Sequence, residues 1–309
     1  MHHPLRRLLA ALLALPLLAL PVLADDAGTN GATFLKINPY PTAGAMGAYT
    51  AVATGNEALH FNAAGLAATP RPEFTAMHND WLGMVDYENF ALTLPLPVGQ
   101  GAGLGVGLAY LTTGDITRTT VADPNGLGSG SFSASDLMFS VGYGQKLSDN
   151  FAAGVTLRFL RERLWTYSDN TVIFDAGLRF SPGIEGLTFA VAGSGFGSGL
   201  KFVRDETDLP QTFSCGAAYQ FKYWDTSRMT LALDAIMPND ETAYGAFGVE
   251  CEVGDYAVAR MGYSTRHDLA KGLTCGVGLR DGENWYVDYA YTPQGDMGQT
   301  NRIALTYRY

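Results

Sequence analysis

The groups in this chain that can act as nucleophiles or bases are sparse and scattered. Beyond residue 24, histidine occurs only as His60, His78 and His267, and cysteine only as Cys215, Cys251 and Cys275. Serine- or cysteine-type hydrolysis needs a nucleophile, an adjacent base and a third group that orients the base. His60 lies in a short helix-forming stretch, His78 near the top of a hairpin and His267 in a long connection. Strand parity converges none of them with a serine. Three cysteines cannot all pair, and their contexts (FSCGA, GVECEV, LTCGV) make each a small apolar residue on a strand face. The glycine groups GAGLGVG (101–107) and GSGFGSG (193–199) lack the Lys-Ser/Thr ending and the following helix of a phosphate-binding loop. The first reads instead as a strand face approached closely by another backbone. A non-enzymatic protein, without metal or cofactor, is the expectation.

The remaining chemistry is charge. Arg158, Glu162, Asp175, Arg179, Asp234, Glu250, Arg260, Asp288 and Arg302 fall on one parity of segments whose other parity is apolar. The apolar rows include Leu137/Phe139/Val141/Tyr143, Val172/Phe174/Ala176/Leu178/Phe180 and Trp285/Val287/Tyr289/Tyr291. Placed against lipid at mid-depth, an Arg or Lys would cost roughly 2–4 kcal/mol. Facing an enclosed interior, the charges can pair. They form either a route that selects solutes or a ladder that satisfies itself within a narrow lumen. The mixture of signs favours the ladder, because an unpaired buried charge is costly.

The elements that position these charges are strands. Period-2 alternation, the mark of a strand with one apolar and one polar face, predicts segments near 73–78, 84–94, 102–112, 135–146, 151–162, 171–181 and 187–194. It continues at 212–223, 229–237, 244–253, 257–264, 273–280, 285–292 and 300–309. Fourteen is an even number, as a single-chain outer-membrane barrel requires. The last segment, NRIALTYRY (301–309), alternates strictly and ends on an aromatic residue. Connections alternate in length, with short ones at 94–100, 147–150, 182–186, 224–228, 253–256 and 280–284. Longer ones are expected at 113–134, 163–170, 195–211, 238–243, 265–272 and 293–299. Short turns belong on the periplasmic side, which puts both termini in the periplasm. Trp81, Trp165, Tyr167, Trp224, Tyr256, Trp285 and Tyr309 would then form interfacial girdles. The long connections 113–134 and 195–211 offer the largest outer surface for a protein partner.

Residues 25–72 do not alternate and are too few to hold a core unaided. They are expected to plug the barrel, with a helix over 56–64 capped by Asn56 and carrying Glu57 in its first turn. Residues 1–24 combine Arg6 and Arg7 with an uncharged run ending at Ala24, the pattern of a cleaved signal peptide. The division is therefore signal peptide 1–24, plug 25–72 and barrel 73–309. The chain carries 20 Lys and Arg against 30 Asp and Glu, a formal charge of −10, which argues against nucleic acid as a partner. Its 37 glycines and 12% aromatics suit a barrel whose two faces cancel in any hydropathy average.

Three stretches resemble the PorV/PorQ family, a branch of the FadL-like (OMPP1-type) outer-membrane barrels. They are FLKINPYPTAGAMGAYTAVATGNEALHFNAAGLA (34–67), SFSASDLMFSVGYGQKLSDNFAAGVTLRFLRERLW (131–165) and VDYAYTPQGDMGQTNRIALTYRY (287–309). The first matches the family's FLKI, Gly/Ala-rich and NPAGLA-like pattern, which carries the plug motif onto Gly44, Gly47, Asn62 and Gly65. Ala63 stands where the family has proline, Gly55-Asn56 where it has an acidic pair, and Asn301 where histidine is usual. The resemblance implies an all-β, fourteen-stranded antiparallel outer-membrane barrel with a short plug containing a small helix. It also implies that Tyr307 and Tyr309 are read by the barrel assembly machinery. Two functions follow from it. PorV-type members act in type IX protein export and surface attachment, with secreted cargo proteins and other secretion components as partners. FadL-type relatives carry long-chain fatty acids and other hydrophobic small molecules across the outer membrane.

Overall fold

A computed structural model describes residues 28–224, 226–266, 272–282, 284–295 and 298–309. The expected signal peptide (1–24) and His267 lie outside them. Fourteen long strands form the wall. Their order begins β1 (Glu73–Trp81), β2 (Val85–Leu96), β3 (Ala102–Thr112), β4 (Ala134–Ser148) and β5 (Phe151–Leu164). It continues β6 (Tyr167–Phe180), β7 (Leu187–Gly197), β8 (Thr212–Trp224), β9 (Ser227–Pro238) and β10 (Tyr244–Val253). It closes with β11 (Ala257–Ser264), β12 (Leu273–Arg280), β13 (Trp285–Pro293) and β14 (Gln299–Arg308). Every neighbour is antiparallel, and β14 pairs with β1 from Glu73 opposite Arg308 to Trp81 opposite Thr300. The chain is a closed fourteen-stranded antiparallel barrel. Closure leaves no edge strand, the condition for a sheet to sit in a bilayer.

The alternation in sequence is the alternation of faces. Phe90, Leu108, Phe139, Leu157, Val172, Phe174, Val277 and Leu305 are exposed on the outer wall. Their inward neighbours Ala91, Ala109, Ser140, Arg158, Ile173, Asp175 and Ala304 are buried. At one mouth the connections are tight. At the other, two loops carry two-stranded hairpins, Ile116–Thr117 with Ser131–Phe132 and Leu200–Lys201 with Glu206–Thr207.

Two details depart from expectation. No long loop spans 163–170, because β5 and β6 run on past the apolar band and turn at Trp165 and Thr166, with Leu164 opposite Tyr167. Trp165 takes φ 56° there, a left-handed value that favours glycine. Trp81 does not belong to a girdle. It shares the inward face of β1 with Met77 and Asn79, and its ring lies 5.7 Å from the Arg302 guanidinium. Trp165, Tyr167, Trp224, Tyr256, Trp285 and Tyr309 are exposed at strand ends.

Residues 28–72 run inside the wall from the long-loop mouth to the short-turn mouth. Gly31 N–H donates to Asp208 O at 2.9 Å, and the Asn30 side chain donates to Leu209 O and to Asn239 Oδ1. At the far end Tyr309 N–H donates to Pro72 O. The two ends of the barrel wall, Glu73 and Tyr309, thus share one mouth, as expected. Asn30, the early part of the plug, lies at the other.

Short helices build the plug: a 3-10 turn (Thr33–Lys36), α1 (Pro41–Met46), α2 (Gly55–Phe61) and a second 3-10 turn (Ala63–Ala68). Pro41 in the first turn of α1 presets the helical angle where no backbone donor is needed. The expected helix over 56–64 is split in two. Thr54, not Asn56, precedes α2, and the Asn56 amide reaches Glu73 O and Thr75 Oγ1 on β1 instead. Asn62 breaks the helix at φ −160° and its side-chain oxygen accepts from Ala64 N–H, which starts the second 3-10 turn.

Candidate functional site in the plugged lumen

Inward glycines let the plug backbone lie on the wall. A Cβ on Gly103, Gly144 or Gly154 would strike the main chain of Leu66 or of Ala63 and its neighbours. On β3, Gly103 seats the Leu66 backbone, while Gly105 and Gly107 make room for the Leu59 and Leu66 side chains. The four plug-motif positions each serve this packing. Gly44 makes room for Arg302, and a side chain at Gly65 would strike the Ala53 carbonyl. Gly47 takes φ 72° at the end of α1. The Asn62 amide donates to Thr50 O, Leu178 O and Val191 O at 3.2–3.4 Å, tying the plug to β6 and β7.

Only part of the charge ladder pairs within itself. Arg260, on β11, holds Glu250 at 2.6 Å and Asp288 at 2.5 Å. Arg158 lies 2.5 Å from Asp175, off the hydrogen-bond direction, and donates to His60 O of the plug. The others turn to plug backbone. Arg302 donates to Asn38 O at 3.0 Å and Arg179 to Ala53 O at 3.2 Å. Asp234 Oδ2 accepts from Tyr49 N–H, Thr50 N–H and the Thr50 hydroxyl, at 2.6, 2.8 and 2.8 Å. Glu162 faces Asp136 across β4 and β5, and its Oε2 is buried without a partner. The ladder is in good part a set of anchors for the plug.

These anchors divide the lumen. Near the long loops a cavity of about 210 Å³ has a mixed lining, with Leu35, Ala43, Phe61 and Ile236 beside Asn38, Tyr49, His60, Ser194, Thr212, Ser214 and Asp234. Lys36, Asp240, Glu241 and Arg266 form a chain of ion pairs at its rim. At the short-turn mouth a larger, polar vestibule of about 420 Å³ runs along β6 to β14. Tyr49 borders both spaces, because plug residues 47–54 form a strap between them. Asp234 holds the strap from the wall. Glu57, on α2, holds it from within by accepting the Tyr49 and Thr42 hydroxyls.

Burial raises the Glu57 carboxyl to about 7, against the lowering effect of the Thr42 and Tyr49 hydroxyls. Burial, reinforced by Arg158, pushes His60 well below its ordinary range, so its imidazole is neutral. His60 in the lumen and His78 on the outer face, paired with Glu88 at 2.6 Å, stand on opposite sides of the wall. Outside the wall, an apolar recess of about 300 Å³ backs onto the upper cavity, with Asp234, Ile236 and Tyr244 bordering both. Strand pairing between them is unbroken, from Asp234 opposite Ala246 to Ile236 opposite Tyr244. Cys215, in that recess, and Cys251 and Cys275 are all free thiols. Trp285, Tyr307 and Tyr309 are in contact in series at the short-turn rim, the first pair tilted and the second edge-to-face, with ring centroids 4.6 and 4.7 Å apart.

No protein-family model matches the chain, and no curated protein matches it in sequence. Solved structures do match in fold. The toluene transporter TbuX of Ralstonia pickettii superposes with a TM-score of 0.59 at 14% identity, covering 88% of this chain and 99% of that one. The toluene transporter TodX of Pseudomonas putida gives 0.59 at 11% identity, covering 87% and 96%. A Pseudomonas aeruginosa FadL homologue gives 0.53 at 10% identity, covering 87% and 98%. The barrel has the FadL-like fold. None of them carries the finer PorV/PorQ resemblance.

Proposed function

We propose that this protein is a non-enzymatic outer-membrane channel that admits small hydrophobic or amphipathic molecules into a plugged lumen. The observation that carries the reading is the upper cavity, where Leu35, Ala43, Phe61 and Ile236 stand beside polar groups such as Asn38, Thr212, Ser214 and Asp234, and which the strap at 47–54 separates from the vestibule. A dry apolar cavity of about 150 Å³ is large enough for benzene, so about 210 Å³ admits a single-ring molecule. The fold likeness to toluene transporters supports this second of the two expected functions. Protein export draws no comparable support from the fold likenesses. Tyr49 of the strap borders both the cavity and the vestibule, and passage in this reading proceeds by displacement of the strap into the vestibule. The outer apolar rows and aromatic strand ends support placement in the outer membrane, assembled there through Tyr307 and Tyr309.

The test is uptake of radiolabelled toluene by a Gram-negative host expressing the chain, compared with the same host lacking it. Faster entry, abolished when the strap is tethered to β9 by an engineered disulfide, supports the reading. Equal rates, together with a secreted protein co-isolating with the barrel, would replace it with export.

A further inference from the structure

Five arginines line the vestibule at the short-turn mouth: Arg179, Arg228, Arg260, Arg280 and Arg308. Four of them are matched. Arg260 holds Glu250 and Asp288, Arg228 and Arg280 share Glu252 at 2.8 and 3.1 Å, and Arg308 holds Glu73 at 2.6 Å. Arg179, among the described residues, has no carboxylate within ion-pair distance. Among the described residues it donates to the Ala53 carbonyl, from one nitrogen, 3.2 Å away. A guanidinium carries five N–H donors in a planar fork, so most of its capacity faces the vestibule.

The surroundings of Arg179 are polar but uncharged. Across from it on β7 stands Ala190, and the same wall continues through Thr188, Ala218, Gln220 and Thr230. The acids of the vestibule lie elsewhere, on β1, β10, β13 and α2. Val52 of the strap, next to the Ala53 carbonyl that Arg179 holds, is half-buried and lines the vestibule as an apolar residue.

We infer that Arg179 is the centre of a binding site for the carboxylate of a small amphipathic organic anion. The fork receives the two oxygens side by side, as planar guanidinium–carboxylate pairs do. Gln220 and Thr188 offer further donors, and the ring or short alkyl part rests on Val52. The inference deepens the passage reading and rests on it for the direction of travel, whereas the site itself stands on the unmatched cation and its neutral wall.

Benzoate and toluene, a charged and a neutral molecule of one size, separate the two ideas. Each is titrated calorimetrically into the purified full chain in a non-ionic detergent. Benzoate is expected to bind. Arg179→Gln should weaken benzoate by roughly ten- to hundredfold, the range for losing a charge-assisted hydrogen-bond partner, and leave toluene unchanged. Arg179→Lys should restore part of the loss. Heat-modifiable electrophoretic mobility shows that both variants are folded barrels. Absence of benzoate binding to the wild type, or equal binding by Arg179→Gln, overturns the site. Failure of toluene alone to bind would sink the hydrocarbon reading and leave the anion site standing.

Discussion

Asp234→Ala should free the strap that separates the two spaces of the lumen. One carboxylate oxygen receives three donors there, two backbone amides and a hydroxyl. Hydrogen bonds to a charged group contribute about 1.5–3 kcal/mol each, so simple addition would give roughly 5–9 kcal/mol. Two effects reduce that sum. The three bonds share one oxygen and are not independent, and removing the carboxylate also removes the several kcal/mol that its burial costs. A net loss of about 2–4 kcal/mol remains. At about 1.4 kcal/mol per tenfold, the population with the strap released rises roughly thirty- to several-hundredfold. Asp234→Asn keeps an acceptor but not the charge, and should fall between the two. Amide hydrogen exchange at Tyr49 and Thr50 reads the release directly, and planar-bilayer conductance reads its consequence. Wild-type protection of both amides in Asp234→Ala, in a barrel that still shows heat-modifiable mobility, would refute the latch.

Two further substitutions probe the seat and the inner latch. Gly154→Val places carbon atoms where the Ala63 carbonyl and Ala64 amide now lie. Overpacking of this kind costs about 1–3 kcal/mol, and it should expose 28–72 to protease while the wall stays intact. Gly245→Ala, whose Cβ would meet nothing closer than 3.8 Å, should change neither. Glu57 gives the plug a pH dependence. Its carboxyl is raised to about 7 from an ordinary 4.5, so the plugged state binds more protons than the released state between those values. Plug stability is therefore greatest below 4.5, declines as pH rises through 7 and stays low above. Glu57→Gln should flatten that decline, measured as strap exchange at pH 5 and pH 8. An unchanged slope would show that Glu57 does not set it.

The wall was legible because one physical rule writes it. Phe139 and Ser140, or Ile303 and Arg302, must face opposite solvents, so sequence parity predicts every strand of the barrel. The same parity predicts that Asp234, Arg179 and Arg302 point inward. It is silent on what they meet. Their partners are backbone groups of Thr50, Ala53 and Asn38, supplied by a segment that follows no period and lies far away in sequence. For that reason a ladder of mutual ion pairs was expected where several rungs hold the plug instead. The turn at Trp165 was hidden for a different reason. Arg161, Arg163 and Ser168 make the outer face of the strand ends polar, and Glu162 opposite Asp169 does the same on the inner face, which reads as loop although the hydrogen bonding continues. The displaced cap at Asn56 reflects competition, since its amide finds buried partners on β1 that a helix terminus could not match.

The threading of residues 28–72 from one mouth to the other constrains how the molecule can be made. Asn38 is bound to Arg302 across 264 positions of sequence, and Arg302 sits on the strand that closes the cylinder against β1. A finished cylinder offers that segment no way in except end-on, so the simplest order of events is that the seam between first and last strands zips around a core already in place. The plug is then a mandrel on which the wall is wound. Closing so long a loop is entropically slow, which makes the amino-terminal segment a determinant of biogenesis yield as well as of permeability. A chain starting at Glu73 would lack its former during assembly as well as its stopper afterwards.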